Sequence, residues 1–578
     1  MAVVRLLNGF LRPHARSLAV IAVLTAVQAV GSLYLPSLNA GIIDDGVLVG
    51  DSGYIWRAGA AMLGVSLVLS VIALIAVRLA SRVSMAVGAS MREAVYRRTL
   101  DLSEQELGRF GVPSLVTRNV NDVQQVQVFL QMLLTLLLMS VVTGGGALVM
   151  AVYYGPQLSL LVAAALLVMA VIMVVMLAVV VPAFRSVQER IDRLNRVVRE
   201  QVTGARVIRA FLRTGDAAAR YREVNADITR AGLRANRAFA VVLPALLGLV
   251  NLSNVGLTWF GGRLVGDHRM TFGSLTAFQV YILQVLLYMG IGVSVVILLP
   301  RAVASAERIT EVIDARPGSV DPARPTVPQE RTGAVEFRDV SFGYPGSRRP
   351  VLAGLTFTVG PGRTTAVVGG TGSGKTTLLH LVLRFCEATD GTVAVDGVDV
   401  RQQAAEQLWA GIALVPQTAF LFAGTVAENL RMARPGATDK ELWHALEVAQ
   451  AVEFVAAMPG GLDAPVEQGG RNVSGGQRQR LAIARAVLRR SSLYVFDDCF
   501  SALDPATEAR VRAALRAETE GAAVLITTQR AATIMAADDI IVLDRGAVAG
   551  QGGHDRLMAE CAPYREILAG QLGVGAAL

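Results

Sequence analysis

Long stretches without a charged side chain dominate the first 300 residues of the chain. A helix needs roughly 20 apolar residues to cross the hydrocarbon core of a bilayer, and each stretch reaches that length. One stretch is long enough for two crossings and is interrupted by Tyr153-Tyr154-Gly155-Pro156-Gln157, a sequence that predicts a turn. Six membrane-spanning helices are therefore predicted, from the stretches Ser17–Ile43, Ala58–Val77, Val123–Phe184, Ala238–Gly262 and Met270–Pro300.

Helical patterns continue beyond the predicted spans. Across residues 185–237, apolar residues recur at helical spacing with charged residues between them. About 20 extra residues of helix extend about 30 Å past the membrane, with short turns predicted at Gly111-Val112-Pro113 and Thr203-Gly204. Residues 78–122 and 185–237 are rich in arginine, whereas residues 44–51 are acidic. This asymmetry places both termini in the cytosol.

Composition agrees with a membrane protein. The chain is 53% hydrophobic with a mean hydropathy of +0.49, more apolar surface than a soluble domain can bury. The net charge of +8 is explained by arginine beside the spans, so a nucleic-acid partner is not predicted. The predicted spans carry no charged residue, which argues against an ion-coupled carrier. Cys386, Cys499 and Cys561 have no metal-binding spacing and are interpreted as reduced thiols.

The composition changes after residue 313. Residues 314–333 contain four prolines among charged residues and are predicted to be a linker. Alternating strand and helix patterns follow. We therefore predict an all-α polytopic membrane domain at residues 1–313, the linker at 314–333, and an α/β P-loop nucleotide-binding domain at 334–578.

The strongest local motif in the second domain is a phosphate-binding loop. A predicted strand, Thr364–Val368, leads into the loop, and a predicted helix, Thr377–Phe385, follows it. This strand–loop–helix context is the one that GxxxxGK[ST] requires to cradle phosphates with backbone N–H groups. Lys375 is expected to reach the β- and γ-phosphates of ATP, and Thr376 to ligate Mg²⁺. The candidate nucleotide-binding residues here are Gly369, Gly370, Thr371, Gly372, Ser373, Gly374, Lys375, Thr376 and Thr377.

A second strand is predicted to bring a carboxylate to the same place. Ser492–Phe496 is apolar and ends in Asp497-Asp498. A buried strand that ends in an acidic residue beside a phosphate-binding loop is the Mg²⁺-binding arrangement of P-loop proteins. Asp497 is the candidate ligand.

Further motifs reveal a family resemblance. Ser474-Gly475-Gly476-Gln477, Gln417 and the segment Ser501-Ala502-Leu503-Asp504 occur in an order that resembles the ABC transporter family. The whole chain looks like an exporter-type half-transporter. The resemblance implies that Tyr344 stacks on adenine, and that Gln417 senses Mg²⁺ and the γ-phosphate. It also implies a dimer, because the signature turn, Ser474–Gln477, contacts the ATP that is held by the opposite subunit.

The same resemblance assigns three more segments. Ser501, Ala502, Leu503 and Asp504 match the family's D-loop. Gly111–Asp122 and Glu200–Phe211 look like the coupling helices that dock onto the nucleotide-binding domains.

Two positions depart from the family. The family usually has Glu directly after the Mg²⁺ carboxylate, where it orients the attacking water, and this chain has Asp498. Asp is one methylene shorter, and a misplacement of about 1 Å can cost about 100-fold in rate. The family usually has His at the switch position, and this chain has Gln529, which cannot carry the imidazole's charge. Asp498 and Gln529 thus form a degenerate catalytic pair.

The resulting hypothesis is ATP-driven export of a hydrophobic or amphipathic substrate across the cytoplasmic membrane of a bacterium. The chain is interpreted as the degenerate-site half of a heterodimer, with ATP and Mg²⁺ as cofactors. Its expected partners are a second half-transporter, membrane lipid and a small cargo. The alternatives are a homodimeric exporter with slow ATPase sites, an importer of the same fold, and an ATP-gated regulator.

Overall fold

The chain forms two compact units. The computed structural model describes residues 2–315, 321–344, 346–347 and 349–572. The first unit comprises the residues up to 100 together with 112–315, and the second comprises 101–111 and the residues from 316 onwards.

The first unit consists of helices that are long and apolar enough to cross a membrane. Six such stretches lie in the described part of the chain, which confirms the predicted number. They contain 42 to 53 residues each. At about 1.5 Å per residue they are about 63–80 Å long, roughly twice the hydrocarbon thickness, so the predicted extensions are also confirmed. The stretches are Val3–Val47, Ser52–Asp101, Val112–Tyr154, Pro156–Thr203, Thr214–Gly266 and Phe272–Ile313.

Several stretches are built from more than one helical segment. Pro36 lies inside one helix and Pro182 inside another. Turns of π-helix, which are wider than those of an α-helix, interrupt the α-helical hydrogen-bond pattern at residues 42–47, 118–122 and 133–137. The α-helices are α1 (Ala2–Leu11), α2 (Ala15–Gly41), α3 (Ser52–Asp101), α4 (Glu104–Phe110), α5 (Val112–Thr117), α6 (Val123–Met132), α7 (Leu138–Tyr154), α8 (Ser159–Thr203), α9 (Ala205–Ala210), α10 (Thr214–Ala240), α11 (Val242–Gly266), α12 (Phe272–Val296) and α13 (Leu299–Ile313).

The predicted break in the longest apolar stretch is confirmed. Helix α7 ends at Tyr154, and a single turn of 3₁₀-helix, Pro156–Leu158, separates it from α8. Gly155 lies against the ring of Phe278, where a Cβ atom would come within 2.7 Å of the ring. The turn is therefore fixed both by proline and by a close approach of its backbone to α12.

The predicted coupling segment Gly111–Asp122 contains a short helix, α5, and a separate short helix precedes it. Residues 112–122 continue into the long third stretch, and the separate short helix is α4. Ser103 and Glu106 form a capping box at its start, and Gly111 ends it with φ of +74°. Residues 101–111 group with the second unit. The second predicted coupling segment, Glu200–Phe211, does contain a short helix, α9.

An ion pair between a buried carboxylate and a half-exposed arginine joins α13 to the start of α6. The carboxylate of Asp122 has a side-chain exposure of 3% and accepts hydrogen bonds from the Arg308 guanidinium and from Ser305, the latter at 3.0 Å. Asp122 therefore belongs to the packed helices of the first unit.

The second unit is an α/β domain. Its strands are β1 (Val335–Phe342), β2 (Leu352–Val359), β3 (Thr364–Gly369), β4 (Asp390–Val395), β5 (Val398–Asp399), β6 (Ile412–Val415), β7 (Gly424–Thr425), β8 (Pro465–Val466), β9 (Leu493–Asp497), β10 (Ala523–Thr527), β11 (Asp539–Asp544) and β12 (Ala547–Gly552). Its remaining helices are α14 (Lys375–Val382), α15 (Ala405–Ala410), α16 (Val426–Arg431), α17 (Asp439–Val448), α18 (Val452–Ala457), α19 (Gly475–Leu488), α20 (Pro505–Glu518), α21 (Ala531–Met535), α22 (His554–Glu560) and α23 (Ala562–Leu572).

The central sheet has six strands in the order β12-β11-β3-β10-β9-β6, of which all but β12 run parallel. Alternate residues of β3 enter two different cores. Val367 packs with the antiparallel sheet β2-β1-β4-β5, whereas Ala366 and Val368 pack with the helical layer that contains α17 and α19. Both faces of the sheet are covered, as is usual for parallel strands.

Part of the predicted linker is packed. Residues 316–320, including Pro317, lie outside the described residues, but Asp321 accepts a hydrogen bond from the Ala405 backbone N–H at 3.0 Å. Asp321 also pairs with Arg384, whose side chain is 1% exposed. The Thr326 N–H donates to the Gln402 carbonyl at 2.8 Å. The second half of the proline-rich segment is thus held against the nucleotide-binding fold.

Candidate functional site

The topology of the central sheet brings the candidate residues together. Strands β3, β10, β9 and β6 are neighbours and run parallel, so their carboxyl ends meet at one edge. In the register of these strands, Thr527 lies beside Asp497 on one side and Val367 on the other. The phosphate-binding loop, the two adjacent carboxylates, Gln417 and Gln529 all follow these strand ends.

The loop of residues 369–376 connects β3 to α14, as predicted. Gly372 and Gly374 have φ of +80° and +100°, a region that side chains other than glycine avoid. Gly374 also packs against Leu352, 2.5 Å from where a Cβ would lie. Thr371 and Gly370 are exposed along the loop, and no atom lies within 4 Å of a Cβ built on Gly370. The loop therefore has room for a ligand on its open side.

Lys375 is held by its own loop. Its ammonium donates hydrogen bonds to the carbonyls of Gly369 and Gly370 at 2.9 and 2.8 Å. Burial lowers the pKa of Lys375, and the nearby carboxylates of Asp498 and Asp497 act in the opposite direction. A cation at the centre of the loop is thus kept close to two acidic residues.

A pair of oxygen ligands for a hard cation is already in place. The Thr376 hydroxyl donates to both carboxylate oxygens of Asp497, at 3.2 and 3.0 Å, and Asp497 is 7% exposed. Mg²⁺ prefers such oxygen ligands and keeps several waters or phosphate oxygens as well. The buried Ser373 hydroxyl in the same loop has no hydrogen-bond partner among the described residues. The residues present therefore fit a magnesium–nucleotide complex, whose phosphate oxygens would satisfy this hydroxyl.

The backbone of Asp498 is tied to the neighbouring strand. Its N–H donates to the carbonyl and the hydroxyl of Thr527, both at 3.0 Å, and its φ is +40°. Burial raises the pKa of Asp498, and the adjacent Asp497 adds to this effect. The side chain of Gln417 acts on the pKa of Asp498 in the opposite direction. Two of the predicted site residues, Gln417 and Asp498, therefore lie near each other.

Gln529 and Tyr344 lie at the rim of the site. Gln529 is exposed two residues after the end of β10. Tyr344 is 41% exposed, and its hydroxyl lies 3.3 Å from the hydroxyl of Thr377, the buried third residue of α14. The ring of Tyr344 also packs edge-on against Phe342 at 4.9 Å between centroids. A side chain exposed beside the phosphate loop is able to stack on a base. Pro345 lies outside the described residues.

The signature turn starts α19, as predicted. The Ser474 hydroxyl accepts a hydrogen bond from the Gln477 N–H at 3.2 Å, and the Gln477 side chain accepts one from the Ser474 N–H at 2.9 Å. This capping box leaves the Ser474 hydroxyl proton free to donate. Gly475 is exposed, with no atom within 4 Å of a Cβ built on it. The turn therefore offers donors at a helix N-terminus, where an anion is favoured.

The D-loop lies against the signature turn. Asp504 caps α20 by accepting a hydrogen bond from the Thr507 N–H at 2.9 Å. The Ala502 carbonyl comes within 3.0 Å of a Cβ built on Gly476. Only glycine allows the two backbones to approach so closely.

The structure adds residues that the sequence analysis missed. Thr527 bonds both acidic residues of the site, because its hydroxyl also donates to Asp497 at 2.7 Å. The sequence offered a signal for Thr527, because its hydroxyl ends the otherwise apolar strand β10. Arg530 bonds both the D-loop and Glu508. No comparable signal marks this ion pair in the sequence, because its two residues lie 22 positions apart in the chain.

Comparisons with known proteins agree with this architecture. Residues 18–289 match the model of the ABC transporter transmembrane region, and residues 352–501 match the ABC transporter model. An uncharacterized ABC transporter ATP-binding protein of Mycobacterium tuberculosis is 42% identical over 98% of both chains, and one of Bacillus subtilis is 30% identical over 98% of both. A fatty acid ABC transporter ATP-binding/permease protein of Mycobacterium tuberculosis is 35% identical over 67% of this chain and 61% of its own length.

The matched regions coincide with the two structural units that carry the spans and the phosphate-binding loop. The chain therefore belongs to the ABC transporter family, as an exporter-type membrane protein that joins six spans to the ATPase domain of a transport ATPase.

Proposed function

We propose that this chain is one half of a heterodimeric ABC exporter, and that its own site binds ATP and hydrolyses it slowly. ABC transporters act as dimers, so a second chain is required in any case. The observation that carries the proposal is the anchored backbone at Asp498 beside an exposed Gln529.

The nucleotide-binding residues support tight binding. Lys375, Thr376 and Asp497 lie together at the edge of the sheet, with the unpartnered Ser373 hydroxyl among them. In the proposed complex, Thr376 and Asp497 hold Mg²⁺, the loop amides and Lys375 bind the β- and γ-phosphates, and Tyr344 stacks on the adenine. Mg²⁺ neutralises charge on the phosphate oxygens when it is bound. Gln417, which lies near Asp498 and follows β6, is placed in this complex where it can respond to the γ-phosphate.

The geometry at Asp498 supports slow hydrolysis. Two hydrogen bonds to Thr527 fix its backbone, so the chain cannot slide forward to make up for the missing methylene. The carboxylate is therefore withdrawn by about 1–1.5 Å relative to a glutamate, which is enough to cost about 100-fold in rate. Gln529 offers an amide donor and cannot accept and return a proton as an imidazole can.

The signature turn supports the second half of the proposal. Ser474–Gln477 keeps a free hydroxyl proton and an exposed helix N-terminus, so it is able to serve an ATP molecule held by another subunit. In the heterodimer, the partner supplies the phosphate loop, glutamate and histidine of the competent site. Both termini and the nucleotide-binding unit lie in the cytosol in this proposal, because the arginine-rich segments adjoin that side.

The proposed cargo is hydrophobic or amphipathic. The predicted spans carry no charged side chain, and one relative is named as a fatty acid transporter and another as a probable multidrug resistance transporter. Intramembrane charges mark ion-coupled transport, and their absence from these stretches leaves ATP as the energy source.

The test is the rate of ATP hydrolysis by the purified chain. We expect wild type in lipid nanodiscs to turn over slowly, and Asp498→Glu with Gln529→His to increase vanadate-sensitive turnover by at least about 10-fold, because the glutamate regains its reach. Asp498→Glu with Gln529→Asn is the matched control, since it lengthens the carboxylate without restoring an imidazole. Brisk, vanadate-sensitive turnover by wild type alone would refute the proposal.

A homodimeric exporter with two slow sites is the second candidate. It predicts that wild-type chains form a dimer without any other component and that transport into inside-out vesicles proceeds with this chain alone. The exposed signature turn is compatible with it, because each copy would then meet the ATP of the other. Co-purification of a second chain of similar mass would favour the heterodimer.

A further inference from the structure

We propose that Arg530 is a positioning residue that couples the switch position, Gln529, to the D-loop and, through it, to the signature turn. The inference rests on the proposed function, because it concerns how one ATP site of a dimer affects the other. Arg530 touches none of the reacting groups assigned above. Its role is to hold backbone segments in register.

The guanidinium of Arg530 binds the D-loop backbone directly. Its Nη2 donates to the carbonyl of Ser501 at 2.9 Å and to the carbonyl of Leu503 at 2.7 Å. The backbone N–H of Arg530 donates to the Thr528 hydroxyl at 3.1 Å. The planar guanidinium carries several donors in a fixed arrangement, so one side chain is able to bridge two carbonyls and a carboxylate. The residue next to Gln529 in the chain thus fixes both ends of the D-loop's central turn.

A buried glutamate holds the guanidinium in place. Glu508 is 3% exposed, and its carboxylate accepts hydrogen bonds from Arg530 and from the Thr533 hydroxyl. Arg512 also faces this carboxylate, at 3.9 Å. Glu508 lies one turn into α20, the helix that the D-loop leads into and that Asp504 caps. The ion pair therefore joins the switch segment to α20 as well as to the loop.

The last contact in the series reaches the signature turn. The Ala502 carbonyl, which lies between the two carbonyls that Arg530 binds, packs against Gly476. No side chain separates the two backbones there, so a shift of Ala502 is transmitted to Gly476 without a flexible intermediate. The sequence of contacts runs from Gln529 through Arg530, Ser501 and Leu503, and Ala502 to Gly476.

This arrangement gives a physical route between two nucleotides. In the proposed dimer, Gln529 faces the γ-phosphate of this chain's ATP and the signature turn faces the ATP of the partner. A change in the position of Gln529 then alters the position of the signature turn. In the proposed function this chain hydrolyses ATP slowly. Its bound ATP would therefore hold the contacts from Gln529 to Gly476 in one arrangement while the partner site hydrolyses ATP repeatedly.

The primary experiment measures backbone hydrogen exchange in the purified full-length chain. Arg530→Met removes the donors and keeps a long apolar side chain. We expect amide exchange in peptides that cover residues 499–504 and 474–477 to become at least about 10-fold faster, because the loop opens locally. Arg512→Met is the matched control, since it removes another positive charge beside Glu508 without touching the D-loop carbonyls. Equal exchange in the two variants would overturn the proposal.

A kinetic readout separates positioning from a general structural effect. In the Asp498→Glu, Gln529→His background, Arg530→Met is expected to lower kcat at least about 10-fold. The KM for ATP is expected to change less than about two-fold, because the substitution slows the hydrolysis of bound ATP and leaves the binding of ATP unaffected. Arg530→Lys should recover part of kcat, since an ammonium is able to reach one carbonyl. A parallel loss of kcat and rise of KM, without recovery by lysine, would overturn the proposal.

A second variant protects the test against misfolding. Arg530→Met combined with Glu508→Gln removes the buried charge that the single substitution leaves behind, and it should still show fast exchange at the D-loop. If the restored background shows no turnover at all, the proposed function fails, whereas exchange at 499–504 and 474–477 continues to report on the contacts of Arg530. Slow, wild-type exchange in the double variant would overturn the inference on its own.

Discussion

At the scale of single residues, the carboxylate of Asp497 is the point where three strand ends meet. It accepts a hydrogen bond from Thr376, which follows β3, and another from Thr527, which ends β10. The strand pattern assigned Asp497 to Mg²⁺, but it said nothing about Thr527. The threonine matters because it orients the same carboxylate and also fixes the backbone of Asp498.

The first prediction concerns metal dependence. Asp497→Asn keeps the size of the side chain and removes its charge, so the affinity for ATP in the presence of Mg²⁺ should fall by at least about 10-fold, whereas the affinity in EDTA should stay within about two-fold of wild type. Titration with a fluorescent ATP analogue measures both. Thr527→Val removes one hydrogen bond to the same carboxylate and keeps the charge, so its effect should be smaller. A similar loss with and without metal would contradict the assignment.

At the scale of elements, patterns with a strong period were predictable and long-range contacts were not. The six spans, the strand before the phosphate loop and the strand Ala523–Thr527 follow from hydropathy and β-branched runs. The sequence analysis did not predict α4 as a separate helix, although Ser103-Glu104-Gln105-Glu106 matches a capping box. The packing of Asp321 on Arg384 depends on residues 63 positions apart and leaves no local pattern.

The start of α12 shows how a distant acidic residue completes a helix. Thr271 caps the helix by accepting a hydrogen bond from the Ser274 N–H at 3.1 Å, and Asp44 accepts one from the Gly273 N–H at 2.7 Å. Asp44 lies just beyond α2, in the π-helical turn that ends the first membrane stretch. A negative charge at a helix N-terminus is favourable, so this contact stabilises the pairing of α2 with α12.

The second prediction tests that contact. A Cβ at Gly273 would overlap the carbonyl of Ala40 and the carboxylate of Asp44, so Gly273→Ala should destabilise the protein by about 1–3 kcal/mol. Thermal unfolding in detergent, followed by intrinsic fluorescence, measures the shift. Gly290→Ala in the same helix is the matched control, because no atom lies within 4 Å of a Cβ built there. Equal midpoints for the two variants would show that α2 and α12 do not approach at Gly273.

At the scale of the whole molecule, the chain divides its tasks between two units and, in the proposed function, between two chains. The membrane unit has its own buried core, which includes Phe278 and Tyr281 at 0% exposure. The nucleotide-binding unit has two further cores, one on each face of the central sheet. In the proposed function, the residues that bind nucleotide are complete within this chain, whereas the residues that split it are not.

The third prediction follows from that division. Co-expression with the second half-transporter should yield inside-out vesicles that accumulate a hydrophobic dye with ATP, and vesicles with this chain alone should accumulate at least about 10-fold less, because hydrolysis then lacks a competent site. The control is the same pair with the partner's catalytic glutamate changed to glutamine. Equal uptake by the single chain would favour the homodimer.

The hydrogen bonds of Lys375 have a thermodynamic consequence. Its ammonium bonds the carbonyls of Gly369 and Gly370, and left-handed glycines form the turns of the loop, so contacts within the chain itself define the loop. A ligand that binds such a loop exchanges hydrogen-bond partners with it and orders little additional backbone. Burial of apolar surface gives binding a negative heat-capacity change, and that change is large when a segment folds on binding, so the enthalpy of ATP binding to this chain should vary little with temperature.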